Sequence, residues 1–150
     1  MKRAVFPGSF DPITLGHVDI INKGLEIFDE VIIGIGENNE KKCMFSSERR
    51  AEFIKTVYSK ETRVKVLTYK GLTVDFCKNN NSNFLIRGLR STSDFEYEKD
   101  IAQINNDISN IETVFFLASA EHSSISSSIV RNLIDNKGNY QLYIPSEITI

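Results

Sequence analysis

Residues 6–17 read "FPGSFDPITLGH", Phe6 to His17, and the fold turns on them. Before them lies "RAVF" (Arg3–Phe6), a short apolar run that reads as a β-strand. After them Val18, Ile21, Leu25 and Phe28 recur at helical spacing, so a helix starts near Leu15–Gly16. The stretch is therefore a strand-to-helix turn that ends on a titratable ring. Backbone N–H groups in a first helical turn have no intrahelical partner and favour negative charge. His17 in that turn can donate to phosphate oxygens, and Gly8 and Gly16 would let backbone approach a ligand. The plainer alternative is a capped turn with a surface histidine.

The same alternation repeats along the chain. "EVIIGIG" is a nearly all-apolar strand of the kind buried on both faces. Ser46 or Ser47 could cap a helix carrying Ile54, Val57 and Tyr58. "RVKVLTY" reads as a third strand, Leu72–Lys78 as a short helix and "NFLIRG" as a fourth strand. "STSDFEYEKDIAQINNDI" opens with a capping box from Ser93 to Glu96 and carries Ile101, Ile104 and Ile108 on one face. "ETVFFLA" is a fifth strand, and "SISSSIVRNLIDNKG" a last helix that Gly138 terminates. Strands alternating with helices over short connections predict an α/β fold: a Rossmann-like, doubly wound, five-stranded parallel sheet with helices on both faces. The chain of 150 residues fits a single domain, 1–150.

Bulk composition excludes several functions. A net charge of −2 argues against a nucleic-acid partner, so any anion site must be built locally. No apolar run reaches membrane-spanning length, and the first residues lack a signal-peptide core, which makes the cytoplasm the expected location. Cys43 and Cys77 read as reduced thiols rather than as a disulfide or zinc pair.

In an open parallel sheet the ligand lies beyond the carboxyl ends of the strands. The segments there are Pro7–His17, Glu37–Phe45, Lys70–Thr73, Arg87–Ser91 and Ser119–Ser128. "AEHSSISSSIVR" crowds Ser123, Ser124, Ser126, Ser127 and Ser128 around one helix start, where hydroxyls and first-turn amides could cradle a polyanion. "EKKCMF" supplies Lys41 and Lys42, and "IRGLRS" supplies Arg87 and Arg90 around Gly88. Two strand ends each delivering a basic pair suit a phosphate cleft. Glu98 is either a surface carboxylate or a partner for a ribose or base. There is no catalytic triad, metal-ligand cluster, P-loop or G-x-G-x-x-G. Donors and positive charge without a protein nucleophile suit direct attack of one bound phosphate on another.

"TLGH" and "ISSSIVR" together resemble the paired signatures of the nucleotidyltransferase superfamily. "PGSFDPITLGHVDII", "KKCMFSSERR", "LIRGLRSTSDFEYE" and "SSISSSIVR" resemble, in order and over essentially the whole chain, the bacterial phosphopantetheine adenylyltransferases of coenzyme A biosynthesis. The resemblance implies transfer of the adenylyl group of ATP to 4'-phosphopantetheine, giving dephospho-coenzyme A and pyrophosphate, by in-line attack without a covalent enzyme intermediate. It implies catalytic roles for His17, Lys41 and Arg90. ATP would be held by Ser9, Phe10, His17, Gly88, Leu89, Arg90, Glu98, His122, Ser123, Ser124, Ile125, Ser126, Ser127 and Ser128. Phosphopantetheine would be held by Ser9, Lys41, Thr73 and Arg87. Magnesium would enter with the ATP phosphates, no metal being held by the protein itself. The family assembles as a homohexamer, a dimer of trimers, with neither nucleic-acid nor membrane partners. Cys43 stands where relatives often carry proline, and His122 where they often carry a larger aromatic near the adenine. The rival readings are a related nucleotidyltransferase acting on nicotinate mononucleotide or a polyol phosphate, and a nonenzymatic nucleotide-binding module.

Overall fold

The structure, a computed structural model, describes residues 1–37 and 42–150. Five parallel strands form one sheet among the described residues: β1 (Arg3–Gly8), β2 (Glu30–Gly36), β3 (Val64–Tyr69), β4 (Phe84–Leu89) and β5 (Glu112–Leu117). Their spatial order is β3-β2-β1-β4-β5. The chain thus builds outward from β1 in one direction, then returns to add β4 on its other side. The switch point falls between β1 and β4, where the connections leave in opposite directions and open a crevice.

The period-2 alternation of each strand sorts its side chains onto two faces. On one face Ala4, Phe6, Val31, Ile33, Ile35 and Ile86 meet α1 (Leu15–Leu25), α2 (Ser47–Val57) and α5 (Ser127–Asp135). The helices contribute Ile20, Ile21, Phe53, Ile54 and Val130 to that core, and Ile144 and Ile148 of the C-terminal segment close it. On the other face Val5, Ile32 and Leu85 meet Val74, Phe76 and Cys77 of α3 (Thr73–Asn79). The helix α4 (Thr92–Ser109) covers β5 on this side, with Phe95 edge-to-face on Phe115, ring centroids 5.9 Å apart. Burial of Cys77 pushes its thiol pKa up to about 12, which leaves it an inert core residue.

Two helix ends differ from the sequence expectation. The cap of α4 is Ser91, whose hydroxyl accepts the Asp94 N–H at 3.2 Å, not Ser93, which lies inside the helix. A cap needs extended backbone, and Ser91 has it as it leaves the β4 exit. At the end of α5, Lys137 rather than Gly138 takes the left-handed conformation, at φ +57°. Gly138 N–H bonds the Leu133 carbonyl at 2.7 Å and Lys137 N–H bonds that of Ile134 at 3.2 Å, which is a Schellman closure. A Cβ at Gly138 would lie 2.8 Å from Leu133 Cδ2, so a larger residue there would have to displace the Leu133 side chain.

Candidate active site

The carboxyl ends of β1, β4 and β5 surround a cleft of about 440 Å³. From the β1 turn it is lined by Gly8, Ser9, Phe10, Thr14, Gly16 and His17, and from β4 by Arg87, Gly88 and Arg90. Asp94 and Glu98 of α4 enter from one side, and His122, Ile125, Ser126, Ser127, Ser128 and Arg131 from the other. Residues separated by more than a hundred positions thus converge because the sheet order puts β4 beside β1 and β5 beside β4.

His17 is held in one chemical state by its own turn. Thr14 caps α1 and its hydroxyl accepts the His17 backbone N–H at 3.4 Å. In return the Thr14 backbone N–H reaches His17 Nδ1 at 3.0 Å. A backbone amide can only donate, so Nδ1 accepts and the ring proton resides on Nε2. The ring packs on Phe10, centroids 4.9 Å apart, and Phe10 stands edge-on to Phe6 at 5.3 Å. Phe10 adopts a left-handed φ of +48°, a strained conformation for a bulky residue that puts its ring against the imidazole. Gly8 makes that possible, because a Cβ there would meet the Phe10 ring at 3.0 Å. Desolvation, followed by the charges of Arg90 and Arg87, lowers the His17 pKa from 6.5 to about 4. At neutral pH His17 is an uncharged donor facing two cations.

Arg87 is clamped rather than free. Its Nε donates to Glu98 Oε2 at 2.8 Å, its Nη2 to Glu98 Oε1, and its Nη1 to the Pro7 carbonyl at 3.1 Å. This bidentate pair forms a partition, because Pro7, Arg87 and Glu98 also line a second pocket of about 380 Å³. That pocket holds Thr73, whose Oγ1 lies 2.9 Å from the Tyr69 hydroxyl, and its apolar wall comprises Leu72, Val74, Leu85, Ile101, Ile104 and Ile108. Arg90 rests between Asp94, at 3.4 Å, and the Ile125 carbonyl, also at 3.4 Å.

The serine cluster is more differentiated than a cradle of equivalent hydroxyls. Ser126 caps α5 by accepting the Ile129 N–H at 3.2 Å, and Ser127 donates to the Pro12 carbonyl at 2.8 Å. Ser128 Oγ accepts from Arg131 at 3.1 Å. Ser123 donates to Ala120 within its own turn, and neither it nor Ser124 lines the cleft. Leu89 is buried and also stands off it. Lys41 lies outside the described residues. Sequence reasoning passed over Thr14, Asp94 and Arg131, all in the wall. The capping spacing of Thr14 before His17 was the available signal for the first of these.

The cytidylyltransferase-like family matches residues 5–133, which makes the chain a nucleotidyltransferase. A phosphopantetheine adenylyltransferase from Christiangramia forsetii is 53% identical over 148 residues, covering 99% of this chain and 98% of the relative. Another from Flavobacterium johnsoniae is 51% identical over 100% of this chain and 99% of its own length. A third, from Lachnoclostridium phytofermentans, is 45% identical over 99% of this chain and 91% of its own. Among solved structures, the lipopolysaccharide core biosynthesis protein from Thermoplasma volcanium shares the fold. Its TM-score is 0.56 at 19% identity, covering 79% of this chain and 97% of that one. The chain belongs to the phosphopantetheine adenylyltransferases within the cytidylyltransferase-like family.

Proposed function

We propose that the two pockets receive the two substrates of one adenylyl transfer, ATP in the His17 cleft and 4'-phosphopantetheine in the Thr73 pocket, with Arg87 at their junction. A phosphate oxygen of phosphopantetheine attacks the α-phosphorus of ATP. The bond from that phosphorus to the β-phosphate oxygen breaks in line, and pyrophosphate leaves with the bonding electron pair. No protein nucleophile takes part. Charge builds on the oxygens of the five-coordinate phosphorus, where His17 Nε2–H and the Arg90 guanidinium would meet it. A neutral donor suits this role, because its hydrogen bond strengthens as charge develops and it needs no proton uptake at neutral pH.

Arg87, pre-oriented by Glu98 and Pro7, would hold the acceptor phosphate. The apolar wall of the Thr73 pocket suits the aliphatic arm of the acceptor. Ser9, Phe10, Gly88, His122 and the Ile125–Ser128 stretch would enclose the nucleotide. Glu98 would act by fixing Arg87 at the junction rather than on the nucleotide itself. Leu89, Ser123 and Ser124, which stand off the cleft, would not touch the nucleotide. Lys41 would contact the phosphates as the resemblance implies. Among the described residues no group of three or more His, Cys, Asp or Glu side chains could hold a metal ion. The cleft carboxylates Asp94 and Glu98 are each paired with an arginine. Magnesium would enter with the triphosphate, as the resemblance implies, and neutralise phosphate charge there.

The chain would act as one domain in the cytoplasm; among the described residues no helix is long and apolar enough to cross a membrane. Assembly as a homohexamer would cover exposed apolar side chains outside both pockets, such as Tyr97 of α4 at 69% exposure and Leu117 at the end of β5 at 74%. The observation that carries the catalytic reading is His17 fixed as an Nε2–H donor in a cleft that shares a wall with a second pocket. The test is pyrophosphate release from ATP and magnesium with phosphopantetheine or, in parallel, nicotinate mononucleotide. Release with phosphopantetheine alone is expected. Release with nicotinate mononucleotide alone, or with neither while ATP binds, overturns the reading.

A further inference from the structure

Two charged side chains beneath the cleft are almost fully buried, Asp11 at 3% exposure and Arg50 at 4%. Burying charge is costly unless every donor and acceptor is met. Each of the two is turned chiefly onto backbone, with the Arg131 guanidinium also 3.9 Å from Asp11 Oδ2. Asp11 Oδ2 accepts the Met44 N–H at 2.8 Å and Oδ1 accepts the Phe45 N–H at 2.9 Å. Arg50 donates from Nε to the Phe45 carbonyl at 3.1 Å and from Nη1 to the Ser9 carbonyl at 2.6 Å. Arg131, which lines the cleft, donates to the Asp11 carbonyl at 2.8 Å. The turn after β1 and the segment entering α2 are thereby tied at four backbone points, with α5 tied to the same turn.

These bonds give direction as well as cohesion. An apolar pair could hold α2 on the sheet, but it would not set the plane of a peptide. With the Ser9 carbonyl drawn inward to Arg50, the N–H across that planar trans peptide, on Phe10, points the opposite way. Ser9 and Phe10 line the cleft, and Phe10 also positions the His17 ring. The orientation of this one peptide therefore bears on both phosphate binding and the donor.

We propose that Asp11 and Arg50 are positioning residues for adenylyl transfer, a buried clasp that holds the Ser9–Phe10 peptide and the Met44–Phe45 segment in the register that receives the triphosphate. The inference rests on the reading of the cleft given above. Asp11→Asn keeps the shape but sets an NH₂ group against one of the two backbone donors. Arg50→Lys keeps the charge but loses the fork that reaches two carbonyls. A misplacement of about 1 Å at a reacting centre can cost about a hundredfold in rate. Both variants should therefore lose about tenfold to a hundredfold in kcat per folded molecule, over and above any loss in Tm.

The assay measures kcat, both KM values and Tm for each variant, with Glu30→Gln as a control for buried charge at the far end of the sheet. The expected result is Glu30→Gln with lowered Tm and normal kcat, against clasp variants with lowered kcat at temperatures where they are fully folded. Clasp variants whose activity tracks only the folded fraction, as in the control, overturn the inference. Should Asp11→Asn yield little folded protein, Arg50→Lys decides alone. His17→Ala runs alongside: if it stays active the reading of the cleft fails, whereas an inactive His17→Ala beside normal clasp variants refutes the clasp alone.

Discussion

The two ends of the sheet use buried charge in opposite ways. At the amino end, the buried Glu30 carboxylate on β2 pairs with Arg3 and with Lys65, the latter at 2.6 Å. Opposite charges there satisfy one another across three neighbouring strands. At the carboxyl end, Asp11 and Arg50 bind backbone, Arg87 is fixed by Glu98 at a boundary between pockets, and His17 is kept neutral. At the amino end the charges chiefly satisfy one another, whereas at the carboxyl end, even where they pair, they also orient backbone and pocket walls.

The largest effect that would break this contrast is at His17. His17→Ala should cut turnover by about a hundredfold or more, since loss of one donor to a transition-state oxyanion typically costs that much. ATP affinity, measured by calorimetry, should be nearly unchanged; near-normal turnover would remove His17 from the reaction. At the pocket boundary, Arg87→Ala should raise the KM for phosphopantetheine about tenfold or more, the worth of a charge-assisted hydrogen bond, while the KM for ATP moves less. Glu98→Gln should reproduce part of this effect, because it releases Arg87 without removing it. An acceptor KM unchanged in both would detach the partition from acceptor binding.

At the other end, Glu30→Gln should cost about 2 kcal/mol of stability and leave kcat intact. Burial alone would raise the Glu30 carboxyl, but the contacts with Lys65 and Arg3 outweigh it and hold the group below its ordinary value. Its contribution is thus present above the ordinary glutamate pKa and lost as pH falls through the lower folded value. Thermal melts of wild type and variant should therefore converge in acid, and a gap that persists there would contradict the ion-pair account. The smallest expected effect is a null one. Because His17 titrates near pH 4 in the free enzyme, kcat/KM should show no inflection from it between about pH 5 and 8.

Most of the scaffold was legible from patterning, for a physical reason. "EVIIGIG" is apolar almost throughout because β2 is buried on both faces, while "RVKVLTY" alternates because β3 is an edge strand. The strand-end rule then located the cleft, and His17, Arg87, Arg90 and Ser126–Ser128 lie in its wall. Pairings across the fold were not legible. Glu98 meets Arg87 only because α4 folds back over β4, and Asp11 meets Met44 and Phe45 only because β2 lies beside β1. The serine run shows the same limit: equivalent letters became a cap, a tie to Pro12 and a partner of Arg131 once α5 was in place.

The most direct test of the account is the protonation state of His17, read by ¹⁵N NMR of histidine-labelled enzyme from about pH 5 to 8. The account predicts a neutral ring across that range, with bare Nδ1 and protonated Nε2. A ring that gains its second proton near the ordinary histidine pKa of about 6.5, or one that carries its proton on Nδ1, would contradict it.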